Sequence, residues 1–167
     1  MTAKVLVFCP ERYRREKMKV LVPVDGSVYS VKALQIAAEL AKTKKADIYV
    51  LSVVPSIGGI EDHEISPSRR DRHMEVFEKR AEDAIKLAGD ILSKEDVASS
   101  RFSKSVVTSV SVPDAIIDFA ETEKIDLIVM GSRGLSTSSR FKLGSIANQV
   151  VKYSPCSVYL VKMQAAQ

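Results

Sequence analysis

From Lys19 onward, short runs of β-branched and apolar residues alternate with longer stretches in which apolar positions recur every three or four residues. That alternation predicts an α/β fold with a mainly parallel sheet. Five strands are expected, at Lys19 to Val24, Asp47 to Val54, Ser103 to Val110, Asp126 to Met130 and Ser157 to Val161. Several are continuous apolar runs, as strands covered on both faces should be. Four helices are expected between them. The first spans about Ser30 to Thr43, with Val31, Leu34, Ala38 and Ala41 at helical spacing and Asp25-Gly26-Ser27 ahead of it as capping chemistry. The second, about Arg70 to Ser93, has the clearest stripe: Met74, Phe77, Ala81, Ala84, Ala88 and Ile91 belong to the core and the charged residues to a wet face. The third, about Pro113 to Thr122, begins on a proline suited to a first turn. The fourth, about Ser145 to Tyr153, stops before Pro155. Pro23 fits the end of its strand, because it donates no ladder hydrogen bond.

Two stretches stand apart from this pattern. The first 17 residues hold a short apolar run, Pro10, the basic stretch Glu11 to Lys17, and then Met18. They read as an appendage, residues 1–18, to a domain at 19–163 with a short tail at 164–167. Either the appendage is a solvated, loosely ordered arm, or it is a basic contact for RNA, lipid headgroups or an acidic partner. Lys4-Val5-Leu6-Val7 echoes Lys19-Val20-Leu21-Val22 only as a strand-like tetrad. Pro55 to Arg70, with two glycines and two prolines, reads as a long surface loop.

Length and composition narrow the class. At 167 residues and 18.4 kDa the chain suits a single three-layer domain that folds without disulfides. With 46% apolar and 28% charged residues, a disordered or collagen-like chain is excluded. A net charge of +4 is too mild to imply nucleic acid. Cys9 and Cys156 form no C-x-x-C pair, which fits a reducing, cytoplasmic setting. No run approaches the roughly 20 apolar residues of a membrane span, and Val5 to Phe8 is too short for a signal-peptide core. Neither a membrane nor a nucleic acid is expected as partner.

The chemistry concentrates in one loop. Gly131, Gly134 and Gly144 fall between the strand ending at Met130 and the helix opening at Ser145. A glycine-bearing loop there delivers the N–H groups of Gly144, Ser145 and Ile146 at a helix N-terminus, where exposed donors and the helix dipole favour phosphate. Glycine lets backbone approach a ligand, and the Ser145 hydroxyl can donate once more. In a doubly wound sheet, ligands lie outside the carboxyl ends of the strands where strand order reverses. With a 3-2-1-4-5 order, Asp25 and Gly131 face one crevice, and an acidic group opposite a phosphate-holding loop suggests a nucleotide. Plainer roles stay open: Asp25 as a cap for the first helix, and Gly144-Ser145 as an ordinary helix start.

Val22-Pro23-Val24-Asp25-Gly26-Ser27, Asp126 to Gly134, Gly144-Ser145 and Pro155-Cys156-Ser157-Val158 together resemble the universal stress protein family, over about Lys19 to Lys162. The most specific element is the G-x2-G-x9-G-[ST] pattern of its ATP-binding branch, met by Gly131, Gly134, Gly144 and Ser145. The resemblance implies an adenine nucleotide alpha hydrolase-like fold and ATP or AMP as ligand, with Mg²⁺ left open. It places Pro23, Val24, Asp25 and Val53 around adenine and ribose. Met130, Gly131 and Gly134 would line the ribose-phosphate turn, with Arg133 in the same loop, and Gly144, Ser145 and Ile146 would hold the phosphates. It also implies a homodimer through the last strand, Ser157 to Val161, whose unpaired edge would otherwise invite aggregation. Three features depart from the family: the residues before Met18, Ser109-Val110-Ser111 where the family often has glycine, and Cys156-Ser157 in place of a frequent Cys-Pro.

Other chemistries lack their motifs. Neither G-x-x-x-x-G-K-[ST] nor G-x-G-x-x-G occurs, which disfavours a fast P-loop NTPase and a typical NAD(P) enzyme. Ser56 to Asp62 only faintly resembles the phosphate loop of ATP pyrophosphatases and follows the wrong strand. His63 and His73 have no metal-ligand spacing, and no G-x-S-x-G elbow appears. Arg133, Arg140 and Lys142 either approach phosphates or solvate the loop. The expected function is a nucleotide-responsive dimeric stress or signalling protein, in which ATP orders the 131–144 loop. Its rivals are a nucleotide-independent dimeric interaction module and a slow ATPase, for which no general base is identifiable.

Overall fold

A computed structural model describes residues 5–7, 17–56, 67–98, 101–135 and 143–163. The apolar runs become the middle of one six-stranded sheet. Its strands are β1 (Val5–Val7), β2 (Lys19–Pro23), β3 (Asp47–Pro55), β4 (Phe102–Ser109), β5 (Leu127–Gly131) and β6 (Ser157–Val161), in the order β1-β6-β5-β2-β3-β4. The five strands expected from the sequence are mutually parallel and lie in the 3-2-1-4-5 order. The sixth, β1, pairs antiparallel with β6. The outer edge of β6, expected from the resemblance to pair with a second copy, carries a strand of the same chain. Residues 8–16, the basic part of the appendage, lie outside the described residues, as do 57–66 of the expected loop.

The helices are α1 (Val28–Lys44), α2 (Pro67–Lys94), α3 (Val112–Thr122) and α4 (Ser145–Tyr153). Alternation along each strand divides the core. Val20 and Val22 of β2, Ile48 and Val50 of β3, and Val129 of β5 pack with Ala33, Ala37, Ala38 and Ala41 of α1 and Ala84, Ala88 and Leu92 of α2. Leu21, Leu51, Ile128 and Met130 turn to the other face, with Ile116 and Ala120 of α3 and Ala147 and Val150 of α4. Burial on both faces is why these strands read as unbroken apolar runs.

Several boundaries move for local reasons. α1 starts two residues before the expected Ser30, because Ser27 is the N-cap and its hydroxyl accepts from Ser30 N at 3.2 Å. α2 starts at Pro67 rather than Arg70, so the expected loop loses its last residues to a helix that opens on a proline. β4 ends at Ser109 rather than Val110. The Ser109 hydroxyl accepts from Ser111 N at 3.2 Å and donates to Ser111 O at 3.0 Å, which closes the turn that the resemblance would have filled with glycine. Ser111 then caps α3 through Asp114 N. β5 begins at Leu127, but Asp126 still ties it to β2: its backbone N–H donates to Lys19 O and its Oδ2 accepts from Lys19 N at 2.8 Å.

Candidate functional site

The sheet opens where its central ladder stops. β2 and β5 register only as Val20 opposite Leu127 and Leu21 opposite Ile128, although β2 runs on to Pro23 and β5 to Gly131. Pro23 has no N–H to extend the ladder. Beyond Leu21, at the carboxyl ends of β2, β3 and β5, lies a cavity of about 330 Å³. That volume falls in the range of small-molecule sites, about 300–1,000 Å³.

Pro23, Val24, Asp25, Val53, Met130, Gly131, Arg133, Gly134, Gly144, Ser145 and Ile146 all line this one cavity. Pro23, Leu51, Val53 and Met130 form its floor on the α3/α4 face of the sheet. Val24 is fixed at both backbone groups, its N–H donating to Leu51 O at 2.8 Å and its carbonyl accepting from the Ser52 hydroxyl at 3.0 Å. Asp25 follows directly. Its Oδ1 accepts from Ser27 N at 3.0 Å, so it shapes the turn into α1, while the cap itself belongs to Ser27.

The glycines divide by what surrounds them. A Cβ on Gly131 would stand 2.6 Å from Tyr29 Cβ and 2.8 Å from the Arg133 carbonyl oxygen, and one on Gly134 would stand 2.5 Å from Asp25 Oδ2. At Gly131 the backbone leaves no room for a side chain, whereas at Gly134 the Asp25 carboxylate would have to shift. A Cβ on Gly144 would meet only Ser132 O at 3.4 Å and Arg133 Cα at 3.5 Å, which are ordinary contacts. No described neighbour would block a side chain there, and the position at the start of α4 is one where glycine is favoured over alanine.

Gly144 is the N-cap of α4 and provides no side-chain cap, whereas α1 and α3 are capped by serines. Its own N–H donates to Ser132 O at 2.8 Å, and Ser132 N in turn donates to Val161 O at 2.9 Å. The expected trio of free donors is corrected accordingly. The Gly144 amide anchors the loop to β5 and β6, and the uncapped first-turn amides are those of Ser145, Ile146 and Ala147. Arg140 and Lys142 lie outside the described residues.

The cavity also has walls that the sequence reading missed. Phe77, Arg80 and Ala81 of α2, and Val112 and Ile116 of α3, also line it. Phe77 and Ala81 had been assigned to the core and Arg80 to the wet face; the α2 stripe gave no sign that its first half borders a recess. Among the described lining residues Asp25 is the sole carboxylate, with Arg80 and Arg133 as the cations. Among the described residues no group of three or more potential metal ligands occurs, and His73 is exposed on α2. One carboxylate is few for a protein-held Mg²⁺, which would need phosphate oxygens to complete its shell.

Fold and site together define a doubly wound α/β domain built around a ligand-sized recess at its topological switch point. Sequence comparison sharpens this. The chain belongs to the universal stress protein family, whose profile matches residues 17–162. It is 30% identical over 149 residues to a universal stress protein of Methanocaldococcus jannaschii, covering 86% of this chain and 81% of that one. It is 32% identical over 155 residues to the Bacillus subtilis universal stress protein YxiE, covering 86% and 98%. Among solved structures, the universal stress protein UspA from Lactobacillus plantarum superposes with a TM-score of 0.73 at 24% identity, covering 87% and 97% of the two chains. A universal stress protein from Archaeoglobus fulgidus in complex with dAMP superposes with a TM-score of 0.62 at 25% identity, covering 87% and 98%.

Proposed function

We propose that the cavity binds an adenine nucleotide, ATP or AMP, and that the chain is a cytoplasmic, nucleotide-responsive stress protein. The observation that carries this reading is Gly144. It opens α4 without a side-chain cap and lines the same recess as Asp25, and no described neighbour would block a side chain there. Glycine at this N-cap leaves the first-turn amides open to close passage of a ligand's phosphates. In this reading Pro23, Val24, Asp25 and Val53 hold adenine and ribose, and Met130, Gly131, Arg133 and Gly134 line the turn to the phosphates. Ser145 and Ile146 amides hold the phosphates themselves. The dAMP complex of the Archaeoglobus fulgidus relative supports the choice of adenine.

Magnitudes assign the work. A helix dipole contributes about 0.3–1 kcal/mol to an exposed anion, less than the roughly 1.4 kcal/mol of a tenfold change in affinity. Most of the affinity therefore comes from direct N–H donors and from the apolar floor beneath the base. Where Mg²⁺ takes part, it arrives on the phosphates, whose oxygens supply most of its shell. A homodimer through Ser157–Val161 belongs to this reading only for a state in which β1 has left that edge.

A thermal-shift series with ATP, AMP, GTP and inorganic phosphate tests the proposal. Stabilisation by ATP and AMP in excess of GTP and phosphate is the expected result. No response to any nucleotide would return the protein to the class of interaction modules with an idle crevice.

A further inference from the structure

Both edges of β6 are in use. On one side β5 runs parallel, from Leu127 opposite Ser157 to Gly131 opposite Val161. On the other β1 runs antiparallel, with Val5 opposite Leu160, Leu6 opposite Tyr159 and Val7 opposite Val158. A strand has no third edge. Any second copy that joined this sheet along β6 would need the positions β1 holds.

The two occupants are alike in direction. A two-fold axis that set β6 of one copy beside β6 of another would make the pair antiparallel, because the same surface is used by both copies in reverse. β1 presents that direction in cis, with an apolar Val-Leu-Val sequence comparable to the Val158-Tyr159-Leu160 that a second copy would bring. We infer that β1 and a second copy of this chain compete for the β6 edge, and that β1 keeps the full chain monomeric at micromolar concentration. Residues 8–18 tether β1 to β2, and a tether of that length sets an effective concentration on the order of millimolar. Separate chains offering a ladder of similar strength lose to it well below that concentration. The advantage is finite, since β1 spans three residues and β6 five. Anything that captures the N-terminal segment releases an edge for pairing. Nothing in this competition depends on what the cavity binds.

Hydrogen exchange on the full-length wild-type chain reads the edge directly. Protection of the 157–161 amides is expected to stay constant on dilution through the micromolar range, with a monomeric sedimentation coefficient throughout. Protection that falls on dilution as a dimer dissociates would mean that a second copy holds the edge, and would overturn the inference. Leu6→Pro, and the pair Val5→Pro with Val7→Pro, remove β1 donors whichever residues face β6. These variants, with wild-type melting transitions, are expected to dimerise at least about tenfold more tightly than wild type by sedimentation equilibrium. The same oligomeric state in wild type and variants also overturns it. Where a proline variant fails to fold, the wild-type exchange series decides alone.

Discussion

Asp25 and Gly134 meet so closely that a Cβ on Gly134 would stand 2.5 Å from Asp25 Oδ2. The other carboxylate oxygen is already engaged by Ser27 N at 3.0 Å, so the side chain cannot turn away without giving up the start of α1. Gly134→Ala is expected to displace Asp25 and weaken ATP and AMP binding by about tenfold or more. Titration calorimetry checks this, and unchanged affinity would remove Asp25 from the binding wall.

Gly131 and Gly144 should respond differently. Gly131→Ala drives a methyl group against Tyr29 and the Arg133 carbonyl, and is expected to cost about 1–3 kcal/mol of stability in urea unfolding. Gly144→Ala meets only ordinary contacts and is expected to cost less, about 0.5–1 kcal/mol, for a poorer α4 N-cap. Gly144→Val, with its larger side chain at the α4 cap, should weaken ATP and AMP binding while leaving adenosine binding close to wild type. Equal losses for adenosine and ATP would show that position 144 does not face the phosphates.

Ser27 separates the cap from the carboxylate. Its hydroxyl caps α1, but it is its backbone N–H that holds Asp25. Ser27→Ala is therefore expected to lower stability by about 1 kcal/mol with no change in nucleotide affinity. A loss of affinity larger than the loss of stability explains would tie the hydroxyl to the ligand.

Far from the cavity, buried Asp126 accepts from Lys19 N at 2.8 Å at the opposite ends of β2 and β5. Asp126→Ala leaves that donor without its partner, at an expected cost of about 1–3 kcal/mol. The thermal shift produced by saturating AMP should survive. Disappearance of that shift in a folded variant would mean that the two ends of these strands are coupled.

What the sequence revealed depended on whether the cause was local. The central strands were legible because burial on both faces leaves no polar position to blur the run, as in Val20-Leu21-Val22. The glycine loop was legible because Gly131, Gly134 and Gly144 bracket a strand end and a helix start. β1 was not. Three residues give too short a period to register, and their partner, Val158 to Leu160, lies at the far end of the chain. Phe77 and Arg80 were misjudged for a related reason. A helical stripe tells which side of α2 faces inward, but not that a recess opens beside its middle turns, at Phe77, Arg80 and Ala81. Capping chemistry at Asp25-Gly26-Ser27 was legible, but which of Asp25 and Ser27 caps α1, like the Ser109 turn, depends on side-chain orientations that a string of residue names does not specify.

α1 turns Ala33, Ala37, Ala38 and Ala41 toward the strands. Together with Leu34, these four methyl groups form the spacer between helix and sheet, and a methyl is the shortest spacer that side chains other than glycine allow. Asp25 and Ser27 are carried at the leading end of that same helix, so the width of the recess is inherited from the thickness of an alanine layer behind it. A single added branch on that layer would lever the acidic wall out of alignment with the glycine loop, which makes the least reactive residues of the chain the ones that gauge its mouth.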